Sequence, residues 1–151
     1  MKVTAKADYA VRAVAELARS EGDLVKADVI AEAQGIPRHF LDNILTELRR
    51  AGIVSTHRGA EGGSRLARPA SGITIADIMR AMEGPLAAVR ETRPEQLVYD
   101  GPAARLPDVW VALRAALRGV LERVTVADLV AGKLPRSVIK LLDDPESWKP
   151  H

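Results

Sequence analysis

The chain has 151 residues, which suits one compact domain with an extension. Apolar residues make up 47% and charged residues 28%, and the formal net charge is +2, a globular balance that excludes disorder throughout and does not by itself announce a nucleic-acid binder. The complete lack of cysteine excludes disulfides, thiolate metal sites and cysteine-held iron–sulfur clusters.

The segment Met1–Lys6 lacks the apolar stretch and cleavage site of a secretory signal, and no apolar run is long enough to span a bilayer. A cytoplasmic protein without membrane contact is expected. Residues 6–20 read as a helix, with Ala7, Ala10, Val11, Val14, Leu17 and Ala18 on one face. Gly22 and Asp23 end it, and Leu24-Val25 reads as a very short extended piece. A second helix spans 26–34, with Val29, Ile30 and Ala33 inward, and Gly35 and Pro37 mark its stop and the next start. The third helix, 38–51, has a buried stripe of Phe40, Leu41, Ile44, Leu45 and Leu48. Its other face carries His39, Asp42, Asn43, Thr46 and Arg50, with Arg38 at its N-terminal end.

Two helices joined by a tight glycine turn make a helix-turn-helix unit. Short polar groups near the start of the second helix suit base edges in a major groove. The period then changes. Ile53–Arg58 and Ser64–Arg68 read as two strands around the flexible 59–63 connection, the order expected of a winged helix. Arg58 and Arg65 flank the hairpin tip, where arginine suits a narrow minor groove. Residues 49–68 hold five arginines against the single acid Glu61, a local +4. This is a phosphate footprint or a solvated basic face.

Thr74–Glu83 reads as a fourth helix, capped by Ser71 or Thr74, with Ile75, Ile78, Met79 and Met82 inward and Gly84-Pro85 as its stop. Residues 85–106 form a long connection, punctuated by prolines and glycine. Pro107 opens a long helix to about Val124. Its apolar residues Trp110, Leu113, Leu117, Val120, Leu121 and Val124 recur every three or four positions, a natural dimerisation stripe. A short helix starting at Thr125 or Asp128, another over 135–142, and a frayed tail over 143–151 complete the chain. The expected fold is mainly α with a small β-wing. It divides into a winged helix-turn-helix domain (1–84), a connecting segment (85–106), a dimerisation helix with C-terminal short helices (107–142) and the tail.

Three scattered histidines, His39, His57 and His151, lack ligand spacing, so no metal is expected. The 59–64 loop lacks the Gly-Lys-Ser/Thr ending of a phosphate-cradling loop, and Gly-x-Ser-x-Gly is missing, so no enzyme is expected. Tyr99 and Trp110 suggest an apolar pocket, although Trp110 reads better as an interface anchor.

Several blocks in unbroken order resemble the Rrf2 family of bacterial winged-helix regulators. They are residues 1–13, 30–37, Phe40-Leu41, 48–54, the arginine and double-glycine wing 58–69, 73–78 and 125–129. The resemblance implies a homodimer crossed by the long helix, with two winged helices on a pseudo-palindromic stretch of double-stranded DNA. It implies base contacts from Arg38, His39, Asp42 and Asn43, and minor-groove insertion of Arg58. Lys2, Arg50, His57 and Arg65 are then phosphate neighbours. Many family members hold an iron–sulfur cluster through three cysteines in the connection, whereas residues 90–102 here contain none. A cluster-free regulator with no cofactor is implied, and Asp8, a ligand position in some relatives, reads as an acid complementing its helix dipole. Ser64 replaces a tyrosine usual in the wing, which is expected to loosen its packing. The implied function is a sequence-specific transcriptional regulator, a repressor by occlusion. A protein-interaction module, or a sensor whose DNA binding needs a small-molecule effector or protein partner, is the alternative.

Overall fold

Capping chemistry and apolar spacing together set the helices. The computed structural model describes residues 2–150; Met1 and His151, the outer ends of the N-terminal block and of the expected tail, lie outside the described residues. Helix α1 (Ala5–Arg19) begins where the Thr4 hydroxyl accepts the Ala7 amide at 3.1 Å. It buries Ala7, Ala10, Ala13, Val14 and Leu17. Helix α2 (Ala27–Gln34) stops at Gly35, whose φ of 61° is left-handed and costs glycine little. Helix α3 (Arg38–Arg50) follows Pro37 and buries Leu41, Ile44, Leu45 and Leu48. These faces meet in one core with Ile30, Ile53, Ile73 and Ile78. Truncating a fully buried leucine such as Leu48 to alanine costs about 2–5 kcal/mol.

Three inward assignments change. Val29 is 56% exposed and Ala33 is exposed; α2 instead turns Ala27, Ile30 and Ala31 toward the core. Phe40 is 49% exposed, because it lies on the first turn of α3 beside Tyr9 and His39, at the rim of the core.

Strands β1 (Val54–His57) and β2 (Gly63–Leu66) pair antiparallel, with Val54 opposite Leu66 and His57 opposite Gly63. Each is shorter than the sequence reading. Val25 adds a third, single-residue strand: its amide and carbonyl both bond Ser64, at 2.8 Å each. Ser64, the serine in the usual tyrosine position of the wing, is therefore buried, with its hydroxyl 3.3 Å from that of Thr56.

Helix α4 (Ile75–Glu83) and helix α6 (Val126–Ala131) start in the same way. Thr74 and Thr125 each accept an amide from an aspartate three residues on, Asp77 and Asp128, which bonds back to the threonine amide. The two threonines also face each other across an antiparallel bridge. The Ile75 amide bonds the Val124 carbonyl and the Val126 amide bonds that of Ile73, both at 2.9 Å. Between them run the connection, with 3-10 turns at Pro94–Gln96 and Gly101–Ala103, and helix α5 (Leu106–Leu121). The bridge returns the chain after α5 to the main body, and Val126 joins the core formed by residues before position 84. The packing unit thus includes α6, which the division at residue 107 had placed apart. Helix α7 (Arg136–Leu142) buries Val138, and a turn at Pro145–Trp148 follows it. That turn lies in the segment read as a frayed tail, and in it the Trp148 indole donates to the Leu142 carbonyl at 2.8 Å.

Candidate nucleic-acid interface

Burial of positions 41, 44, 45 and 48 leaves one outward face on α3. It holds His39, Asp42, Asn43, Arg49 and Arg50, all exposed, with Thr46 half-buried. A groove of about 230 Å³ separates this face from the hairpin; Arg38, Asp42, Thr46, Arg49, Thr56 and Gly63 line it. A second groove of about 360 Å³ lies on the other flank, between Lys6 and Asn43, Thr46 and Arg50. The expected α3 residues are thereby brought together on one surface; His39, at its N-terminal end, packs against Phe40 with ring centres 4.4 Å apart.

Two cations on this surface were absent from the expected contacts. Arg49 lies in the groove toward the hairpin. Lys6 reaches α3 from α1, with Nζ 2.8 Å from Glu47 and 3.1 Å from the Met82 carbonyl. The local arginine run signals Arg49, whereas Lys6 is placed only by the α1–α3 packing. Lys2, expected as a phosphate neighbour, lies elsewhere: it lines an apolar groove of about 360 Å³ between α1, α4 and α5, with Val3, Met79, Leu117 and Leu121.

Arg38 is not a free cation. Its Nε is 2.7 Å from Asp28 on the first turn of α2, and its Nη1 pairs with Asp42 one helical turn on. The hydrogen bonds to Asp42 and Asp28 raise its pKa further above the ordinary arginine value. Thr46 donates to the Asp42 carbonyl at 2.9 Å, a back-bond that orients its hydroxyl along the helix. The α3 N-terminus is thus an organised polar set that ties α3 to α2.

His57, Arg58 and Arg65 are exposed on the hairpin. Its two adjacent glycines are fixed by close backbone approach. A Cβ on Gly62 would lie 2.2 Å from the His57 carbonyl oxygen, and one on Gly63 would lie 2.7 Å from that of Val25. The first contact closes the tip; the second seats the hairpin on the body.

On α5, Trp110, Leu113, Leu117, Val120 and Leu121 are only half-buried, and no residue of the helix is fully buried. Val124 differs. It is buried and lies beyond the helix end, at the bridge to Ile75, so it belongs to the chain's own body and not to the exposed stripe. Within the single chain Tyr99 lines a cavity with Leu97 and Val111, and Trp110 is not among its lining residues.

An Rrf2 family profile, described as an iron-dependent transcriptional regulator, matches residues 3–132. A candidate HTH-type transcriptional regulator of Mycobacterium tuberculosis is 52% identical over 145 residues, covering 95% of this chain and 90% of the relative. The HTH-type transcriptional regulator CymR of Bacillus subtilis is 33% identical over 132 residues, covering 87% of this chain and 91% of the relative. The structure of CymR, the global cysteine regulator of B. subtilis, matches with a TM-score of 0.72 over 88% of this chain and 98% of that one. IscR of T. potens matches with a TM-score of 0.67 and 31% identity, over 100% of this chain and 93% of that one.

The iron in the family description does not suit this chain's donors. Residues 85–106 offer carboxylates and a phenol but neither thiolate nor imidazole. Among the described residues no three His, Cys, Asp or Glu side chains converge as metal ligands. No described helix is long and apolar enough to cross a membrane. The winged-helix fold, the exposed polar face of α3 and these relatives lead to one assignment: the chain belongs to the Rrf2 family of DNA-binding transcriptional regulators and is not an enzyme.

Proposed function

We propose that this protein is a homodimeric, sequence-specific regulator that acts without an iron–sulfur cluster. It reads a pseudo-palindromic DNA site with α3 in the major groove and the Arg58 hairpin in the adjacent minor groove. The observation that carries the reading is the shared surface of Arg38, Asp42, Asn43, Arg49 and Arg50 beside the exposed hairpin arginines Arg58 and Arg65. Asn43 has the amide that pairs with adenine in a major groove, and arginine pairs with guanine. His39, Thr46, His57 and Lys6 are placed to adjust base preference or to meet phosphates.

Dimerisation through α5 is supported by its sixteen residues, of which none is fully buried despite the apolar stripe from Trp110 to Leu121. A helix with that pattern loses little by pairing and removes apolar surface from water. A dimer covering two half-sites competes with other proteins for the same duplex, so repression by occlusion is the proposed mode.

The test is binding to genomic duplex fragments at several salt concentrations. Wild type is expected to show a steep salt dependence, and Arg58→Ala to lose about tenfold in affinity, in line with ~1–3 kcal/mol per specific base contact. Equal affinity of Arg58→Ala at every salt concentration refutes the hairpin role.

A further inference from the structure

Away from α3 and the hairpin, four arginines line one open cavity of about 490 Å³. Arg80 comes from the end of α4, Arg93 from the connection, and Arg114 and Arg118 from successive turns of α5. Glu95 and the buried Pro94 complete that side of the wall. No residue of α3, β1 or β2 contributes, so the cavity is separate from the DNA-reading surface.

The charges around it do not balance. Arg114 Nη1 donates to Glu95 at 2.6 Å. Arg80 and Arg118 share a single carboxylate oxygen of Glu122, with Arg118 Nε at 3.0 Å. Two carboxylates thus serve three guanidiniums, and among the described residues Arg93 has no ion-pair partner. Its charge is felt by Glu95, but less strongly than that of Arg114. The cavity therefore carries two more positive than negative groups.

The backbone that presents Arg93 is also costly. Val89 and Thr92 bond each other in both directions at 2.9 Å, closing a tight turn over Arg90 and Glu91. Both central residues are left-handed, at φ 49° and 66°. Glycine, asparagine and aspartate are the usual residues of such a turn. Ala87, at φ 57°, adds a third left-handed residue to the same connection. Strained backbone persists where the surrounding structure holds it, and it concentrates at binding sites and switches. Here it delivers Arg93 to the cavity.

We infer that this cavity binds a small polyanion bearing carboxylate or phosphate oxygens, and that the ligand is the regulator's effector. Planar guanidiniums accept such oxyanions bidentately. The volume admits a small organic acid or phosphate ester. The ligand bridges α4 of the DNA-binding body to α5, so its occupancy couples the body to the helix assigned to dimerisation. The effector role rests on the proposed regulatory function; the binding site itself does not.

The test is calorimetric titration of the intact protein with citrate and with inorganic phosphate, at ionic strength held constant with chloride. DNA retention is measured in parallel with and without citrate. Saturable binding of at least one anion is expected. Arg93→Ala is expected to weaken it at least tenfold while leaving the melting temperature and ligand-free DNA retention unchanged. Arg58→Ala is expected to bind the anion as wild type does. Absence of saturable binding by both anions, or equal binding by Arg93→Ala and Arg114→Ala, overturns the site. DNA affinity unmoved by a bound anion overturns the effector role. A protein that binds the anion through Arg93 but retains no DNA refutes the regulator reading and upholds the site.

Discussion

Arg38 Nε lies 2.7 Å from the carboxylate of Asp28, so the first residue of α3 is clamped to the first turn of the helix before it. Asp42 pairs with the same guanidinium from the following turn. Both acids hold Arg38 in place, and in the proposed DNA complex they would compete with phosphates and base edges for it. Under that proposal the clamp fixes α3 at the expense of some electrostatic affinity.

Asp28→Asn is therefore expected to raise affinity for duplex DNA about two- to fivefold. Exposed ion pairs are worth up to about 1 kcal/mol, and removing a negative charge near phosphates acts in the same direction. Arg38→Ala is expected to lower affinity and to relax base preference at one position. Fluorescence anisotropy with a labelled duplex measures both; a fall in affinity for Asp28→Asn contradicts the competition.

Gly62→Ala tests the hairpin tip. The new Cβ meets the His57 carbonyl oxygen at 2.2 Å and Gly59 oxygen at 2.9 Å, so the tip must open. Overpacking of this kind costs about 1–3 kcal/mol. Reduced DNA affinity is expected with an unchanged helical circular-dichroism spectrum. Wild-type affinity would show that the closed tip has no part in binding.

Leu117→Asp places a charge on the apolar stripe of α5 and beside Leu121 in the groove to α1 and α4. Sedimentation is expected to show at least a tenfold rise in the dimer dissociation constant, equivalent to ~1.4 kcal/mol. An unaltered sedimentation profile would show that α5 is not the dimer contact.

Acid stability carries a signed prediction. The amide and then the hydroxyl of Thr125 hold the Asp128 carboxyl below its ordinary pKa, and Arg80, followed by Arg118, does the same for Glu122. A depressed native pKa means that the unfolded chain binds the proton first. The stabilisation is complete above the ordinary carboxylate range, about pH 4, and is lost as pH falls through the lower native values. The melting temperature of wild type is expected to drop in that window. Asp128→Asn and Glu122→Gln are expected to flatten the drop, and an identical acid limb in both variants contradicts the assignment.

Local chemistry was readable in the sequence where it acts over one helical turn. Periodicity located α1, α3 and α4, Thr74 was one of two candidates for the start of α4 and Thr125 one of two for that of α6, and Gly35 marked a stop. Features that depend on residues far apart in the chain were not readable. Ser64 is buried because Val25 pairs with it, and Val124 because it bridges to α4. Phe40 has helical spacing for the core but lies on the first turn of α3, where the core ends. Of the interface, the α3 face and hairpin arginines follow from pattern. Lys6 does not, since its place beside Asn43 and Arg50 comes from the way α1 crosses α3. Nor does the clamp on Arg38, which needs Asp28 from the neighbouring helix.

The central claim is that the α3 face and the hairpin together read DNA sequence. Its most direct measurement is sequencing of the genomic fragments that the purified protein retains, with Asn43→Ala and Arg58→Ala in parallel. The account predicts enrichment of a few palindromic sites by wild type, an altered site preference for Asn43→Ala, and weaker retention by Arg58→Ala. Uniform retention of all fragments by wild type, or enrichment of the same sites to the same degree by both variants, would contradict it.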